Sequence, residues 1–330
     1  MGSIELVCPA GSPAMLRAAI LSGADSVYCG LRDETNARNF PGLNFSPAEL
    51  AEAVGWAAGH GAKVLVAINT FARAGDTRAW RSSVDLAAGA GAHAIIAADL
   101  AVLGYARSAH PELRLHLSVQ AAAGSPEAVE FYARTYGIKR AVLPRVLSVQ
   151  EIATLNRASS IETEAFVFGG LCVMAEGRCA LSSYATGRSP NLSGVCSPPE
   201  AVSFARSALG LTPRLAGLAL DRYDAHESAG YPTLCKGRFE VEGETSYLFE
   251  DPTSLNAMGL LRALRDAGVT AVKVEGRQRG KTYVTRVAAA FRAAIDAMDR
   301  GEDLAPYESL LSDLAEGGRE TAGAYRKTWR

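Results

Sequence analysis

Short apolar runs rich in β-forming residues alternate along this chain with longer stretches whose apolar positions recur at helical spacing. The strand-like runs are IELVCPA (4–10), SVYCGL (26–31), KVLVAIN (63–69), AIIAAD (94–99), RLHLSVQ (114–120), RAVLP (140–144), TEAFVFG (163–169) and AVKVEG (271–276). Helical stretches fall between them at 12–24, 46–62, 77–92, 125–137 and 148–158, and a long one follows the last strand at 283–301. Several open on Ser-Pro or Thr and close on Gly, the residues that satisfy a helix's first amides and its left-handed C-terminal turn. Repeated β-then-α units predict parallel strands with crossover helices, and eight of them fit a (β/α)8-barrel-like parallel barrel better than an open doubly wound sheet.

The rhythm breaks between about 170 and 255. GRSPNLSGVCSPPE (187–200) is rich in Ser, Gly and Pro, and 230–252 reads as a loop with a short hairpin. The expected organisation is therefore a first barrel part (1–170), a cysteine-bearing insertion before the last strand (171–255), the last barrel unit with its closing helix (256–301), and a charged tail (302–330) expected to be helical.

Composition narrows the class. An apolar share of 48% over 330 residues supports a large core, and 34 basic against 35 acidic residues leave no overall field to recruit nucleic acid. Neither a leader-like N-terminus nor a run of about 18 apolar residues is present, so a cytoplasmic protein with no transmembrane segment is expected. In that compartment clustered thiols read as metal ligands or catalytic groups rather than disulfides. Cys172, Cys179, Cys196 and Cys235 all lie in or beside the insertion, spaced C-x6-C-x16-C-x38-C. Four thiolates match the ligand count of a tetrahedral zinc or a 4Fe-4S cluster, and the absence of C-x2–4-C knuckles favours iron–sulfur. Four scattered reduced thiols are the competing reading. Cys8 and Cys29 sit within apolar strands and are expected in the core.

The stretch EAFVFGGLCVMAEGRCALSS (164–183) resembles the signature of the collagenase-like peptidase family, with Gly170 where Ser or Ala is expected. The segments beginning ELVCPAGSPAMLRAAILSGADSVYCGL and KVEGRQRGKTYVTRVAAAF are similar to the family's ubiquinone-biosynthesis branch, and the likeness spans residues 4–300. That resemblance implies an oxygen-independent hydroxylase of the aromatic ring of ubiquinone precursors. It implies a 4Fe-4S cluster on the four cysteines, a UbiV-like paralogue as heterodimer partner, and prephenate as oxygen donor. A prenylated phenol substrate would have to be delivered by a lipid-carrier protein. RNA-base hydroxylation, known among relatives, and a non-catalytic iron–sulfur scaffold for the partner are the alternatives.

Proteolysis has no visible apparatus: the chain carries no H-E-x-x-H and no G-x-S-x-G, and its five histidines lie in no catalytic pattern. GRQRGKT (276–282) has three residues between its glycines where a phosphate loop needs four, and GAGAHA (89–94) leaves a helix for a strand, the reverse of a dinucleotide site. Chemistry in an α/β barrel sits at the C-terminal ends of the strands. There the sequence offers Asn69, Gln120, Arg145, Glu164, Lys273, Glu275 and Arg277, with Arg38, Asn39 and Asn44 on the loop after the second strand. Prephenate carries two carboxylates, which guanidinium groups hold well, so Arg38, Arg145 and Arg277 are expected to bind it, and Glu164 or Glu275 to take the proton released on rearomatisation.

Overall fold

The computed structural model describes residues 2–172, 179–190, 196–208, 210–227 and 229–327. All eight expected strands form: β1 (Glu5–Pro9), β2 (Ser26–Cys29), β3 (Lys63–Ile68), β4 (Ala94–Ala97), β5 (Arg114–Leu117), β6 (Arg140–Val142) and β7 (Glu162–Gly170), with the eighth, β14 (Ala271–Val274), arriving after the insertion. Each pairs in parallel with the next, and β14 pairs with both β7 and β1, closing the barrel. The helices between them are α1 (Pro13–Leu21), α2 (Pro47–Ala58), α3 (Arg78–Gly89), α4 (Leu100–Ala109), α5 (Pro126–Tyr136) and α6 (Val149–Ala158). Ser12, Ser46, Ser125 and Ser148 each accept an amide hydrogen bond at a helix N-terminus, as their sequence context predicts, whereas Thr77 caps nothing with its side chain.

Strand alternation sorts the side chains. Leu6, Cys8, Val27, Cys29, Val64 and Val66 pack outward under the helices, so both strand cysteines are core residues as expected. Val7, Tyr28, Leu65, Ala94, Ile96 and Ala271 cluster separately, on the opposite strand face. Around them the barrel is charged. Arg140 reaches Glu5 and Glu162, both at 2.7 Å, and Glu164 at 3.2 Å, and His116 is buried with its Nε2 accepting from Arg114 Nε at 3.0 Å. Burial pushes His116 well below its ordinary value and keeps it neutral.

Between β7 and β14 the insertion contributes α7 (Ala180–Thr186), an antiparallel sheet of β8 (Val202–Ser207), β9 (Gly210–Leu215) and β10 (Leu218–Ala219), and the β11 (Arg238–Val241) and β12 (Glu244–Tyr247) hairpin. The second hairpin matches the expectation for 230–252, while the β8–β9 pair had no turn signal that singled it out. The insertion does not end in a clean boundary at 255, because β13 (Ser254–Asn256) pairs antiparallel with the C-terminal half of β7. After α8 (Leu261–Asp266), β14 and the long α9 (Lys281–Asp299), the tail is not the expected helix. It makes only the short α10 (Ala305–Glu308) and 3-10 turns before β15 (Glu320–Thr321) adds to β13 in parallel.

Candidate active site and thiol centre

The C-terminal mouth of the barrel is organised around Tyr28, the third residue of β2. Its hydroxyl donates to Val274 O at 2.9 Å, which fixes the ring across the end of β14. The Lys273 ammonium lies 3.8 Å and the Arg277 guanidinium 5.5 Å from the ring centroid, within the range of cation–π attraction. Burial raises the Tyr28 phenol, Glu275 adds to the rise, and Arg277, Arg145 and Arg38 oppose it. The three arginines expected to bind carboxylates thus share one electrostatic neighbourhood. Arg277, almost fully buried, donates to Asn36 Oδ1 at 2.6 Å, and burial brings its pKa down to about 10. Arg145 lies over the Phe166 ring at 3.8 Å.

The remaining expected residues divide between the mouth and its scaffolding. Asn69 Oδ1 accepts from Ala37 N at 3.0 Å, and Asn44, at positive φ, donates through Nδ2 to Arg38 O at 2.8 Å, so both shape the 33–45 loop. Asn39 is half-buried on that loop, and Gln120 is half-buried with its Oε1 unpartnered among the described residues. Glu275 directly follows β14 and is half-buried at the mouth. Two expectations need correcting. Glu164 is not at a strand end: it is the third residue of the nine-residue β7, fully buried, accepting from Lys273 Nζ at 2.6 Å and from Arg140. Lys273 likewise lies inside the barrel beneath Tyr28. A carboxylate held by two cations away from solvent is a structural counter-ion, which leaves Glu275 as the carboxylate at the mouth. Tyr28 itself escaped the sequence reading, since an aromatic in an apolar strand carries no mark distinguishing it from core.

The four insertion cysteines are all free thiols, Cys172 and Cys196 exposed and Cys179 and Cys235 partly buried. Among the described residues no three His, Cys, Asp or Glu side chains stand as a ready-made metal site. The segments that carry them lie close, with the 3-10 turn (Leu234–Lys236) that holds Cys235 packed on α7. Burial pushes Cys235 up to about 12 and raises Cys179. Ser182 Oγ donates to Cys196 O, tying the third cysteine to α7, which Cys179 precedes. Four thiols gathered from three segments suit a soft metal centre in donor chemistry. This centre adjoins the mouth: Tyr231, whose hydroxyl donates to Ser197 O at 2.9 Å, meets Phe40 of the 33–45 loop edge-on at 6.0 Å.

Known proteins resemble this chain along most of its length. The tRNA hydroxylation protein P1 of Bacillus subtilis is 29% identical over 324 residues, 97% of this chain and 70% of that protein. The tRNA hydroxylation protein P of Escherichia coli is 30% identical over 339 residues, covering 95% and 72%. A protein named collagenase from Porphyromonas gingivalis is 30% identical over 312 residues, covering 91% and 67%. The description "Peptidase family U32" matches residues 11–322, and with nearly the whole barrel, insertion and tail inside that match, the chain belongs to peptidase family U32.

Proposed function

We propose that this chain is the UbiU-type member of the family, the iron–sulfur subunit of an oxygen-independent hydroxylase acting on the aromatic ring of ubiquinone precursors together with a UbiV-like partner. The observation that carries the reading is the contact between two unlike regions: a mouth with Arg38, Arg145 and Arg277 in the surroundings of Tyr28, and the insertion that bears the four cysteines, which meets the mouth loop through Tyr231 and Phe40. The arginines suit a dicarboxylate such as prephenate, and Arg277, short of water, binds an anion more strongly than an exposed cation would. Glu275, half-buried directly after β14, would take the proton released when the ring regains aromaticity. Cys172, Cys179, Cys196 and Cys235 would hold a 4Fe-4S group, which supplies electron transfer when bound. Peptide hydrolysis finds no support in the sequence, which carries no H-E-x-x-H and no G-x-S-x-G.

RNA-base hydroxylation is the second reading, favoured by the names of the two tRNA hydroxylation relatives. A strain lacking the gene, grown without oxygen, separates them. Accumulation of under-hydroxylated quinone precursors with unchanged modified nucleosides is expected. Loss of a hydroxylated nucleoside with normal quinones would overturn the ubiquinone reading.

A further inference from the structure

The tail, which the barrel pattern leaves without a role, passes between the two centres at Glu316. Its carboxylate binds Lys236 Nζ through one oxygen and Arg279 through the other at 2.7 Å. Lys236 adjoins Cys235 in a 3-10 turn (Leu234–Lys236), and Arg279 closes the turn that carries Arg277 at the end of β14, with Arg279 N donating to Gly276 O at 2.9 Å. The residue is itself fixed to β13, where its backbone N donates to Ser254 Oγ at 2.9 Å. Two glycines make room for it. A Cβ on Gly170, at the end of β7, would stand 3.1 Å from Glu316 Oε1, and Gly317 turns the chain at φ +60° where a Cβ would come within 2.5 Å of Pro252 O. Further along, Tyr325 is buried with its hydroxyl donating to Phe166 O at 2.6 Å, so the strap is anchored on both sides of this bridge.

We propose that Glu316 is a positioning residue that clamps the Cys235 segment and the Arg277 turn to one point on the tail, holding the thiol centre against the barrel mouth. The clamp rests on the reading of these two centres given above, but it stands on contacts that exist without metal or substrate. It also neutralises Lys236 beside Cys235, and this sets the sign of its effect on a bound cluster. Uncompensated positive charge near an iron–sulfur cluster stabilises its reduced, more negative state.

The test is peptide-resolved hydrogen exchange on the full-length chain, comparing wild type with Glu316→Gln, Lys236→Gln, Arg279→Gln and the exposed tail variant Asp313→Asn. Losing charge-assisted bonds to two partners should speed exchange at Lys236 and Gly237, and in the 276–279 turn, by about tenfold in Glu316→Gln. Lys236→Gln should release only the Cys235 segment and Arg279→Gln only the turn, while Asp313→Asn matches wild type and the core strands stay protected in all four. In iron-loaded protein Glu316→Gln should also shift the reduction potential upward, which a purely structural contact away from the cluster would not do. Wild-type exchange in both segments of Glu316→Gln overturns the clamp. Should that variant lose core protection, the two single-cation variants decide, and wild-type exchange in both of their segments overturns it equally. A wild-type chain that binds no iron sinks the functional reading instead, and leaves the exchange contrast to decide the clamp.

Discussion

At the scale of single residues, the barrel interior is a set of charges that water cannot screen, and this yields two predictions. Burial opposes ionisation of Glu5, but the hydrogen bond and attraction of Arg140, with a bond from Ser26, overcome it and lower the carboxyl from 4.5 to about 2. A carboxylate held down in the folded state stabilises the fold above the unfolded value and loses that contribution as pH falls from about 4.5 through about 2. The loss across that window amounts to on the order of 3 kcal/mol. Denaturation of Glu5→Gln at pH 5 and pH 3 should show a smaller drop than wild type; an equal drop would mean that other carboxylates dominate. Glu164 is the counter-ion of Lys273, so Glu164→Gln leaves the buried ammonium uncompensated, whereas Lys273→Met leaves Glu164 with Arg140 alone. The first should cost about 3–5 kcal/mol by urea denaturation and the second less, with the double variant recovering part of the loss. Additive losses would show that the pair does not interact. Both residues are visible in the sequence as polar positions in strands. Their placement is not, because a charged residue near the end of a short strand reads as a mouth residue until the pairing of β7 with β14 shows that Ala271 lies opposite Glu164.

At the scale of elements, strands and helices were legible because alternation and Ser caps act locally, within a few residues. The β8–β9 hairpin was not, since its strand β8 is exposed along most of its length and carries no apolar alternation to read. The cysteine segments fall between these cases: spacing gives the ligand number, and only the folded insertion brings the segments together, Cys179 and Cys196 through α7 and Ser182, Cys235 through its 3-10 turn. Anaerobically purified protein should accordingly contain about four iron and four sulfide per chain. Replacing any one of Cys172, Cys179, Cys196 or Cys235 by Ala should abolish the acid-labile sulfide, because a metal that organises several segments is lost with one ligand. Cys8→Ala and Cys29→Ala, both in strands under the helical layer, should keep it. Stoichiometric zinc without sulfide would replace the cluster assignment, and retention of iron in two or more of the four variants would break the ligand set.

At the scale of the whole molecule, the barrel supplies fixed cations and the insertion supplies the neighbouring thiols, so damage to one centre should be separable from damage to the other. No helix among the described residues is long and apolar enough to cross a membrane. Arg277 is the sharpest probe of this separation. It is buried against Tyr28 and Asn36 rather than against any cysteine of the insertion, and its guanidinium faces the same neighbourhood as Arg38 and Arg145. Removing a charged partner of a carboxylate should cost about 1.5–3 kcal/mol, or roughly one to two decades of affinity for a dicarboxylate such as prephenate measured by calorimetry. On the proposed function, Arg277→Ala should therefore fold, bind iron and pair with a UbiV-like paralogue as wild type does yet fail in anaerobic quinone hydroxylation, while Arg326→Ala, exposed on the tail, behaves as wild type. Arg277→Lys keeps a charge but not the planar fork, and should recover only part of the affinity. Full activity with intact iron in Arg38→Ala, Arg145→Ala and Arg277→Ala alike would move the chemistry off this barrel and onto the partner, making the chain an iron–sulfur scaffold.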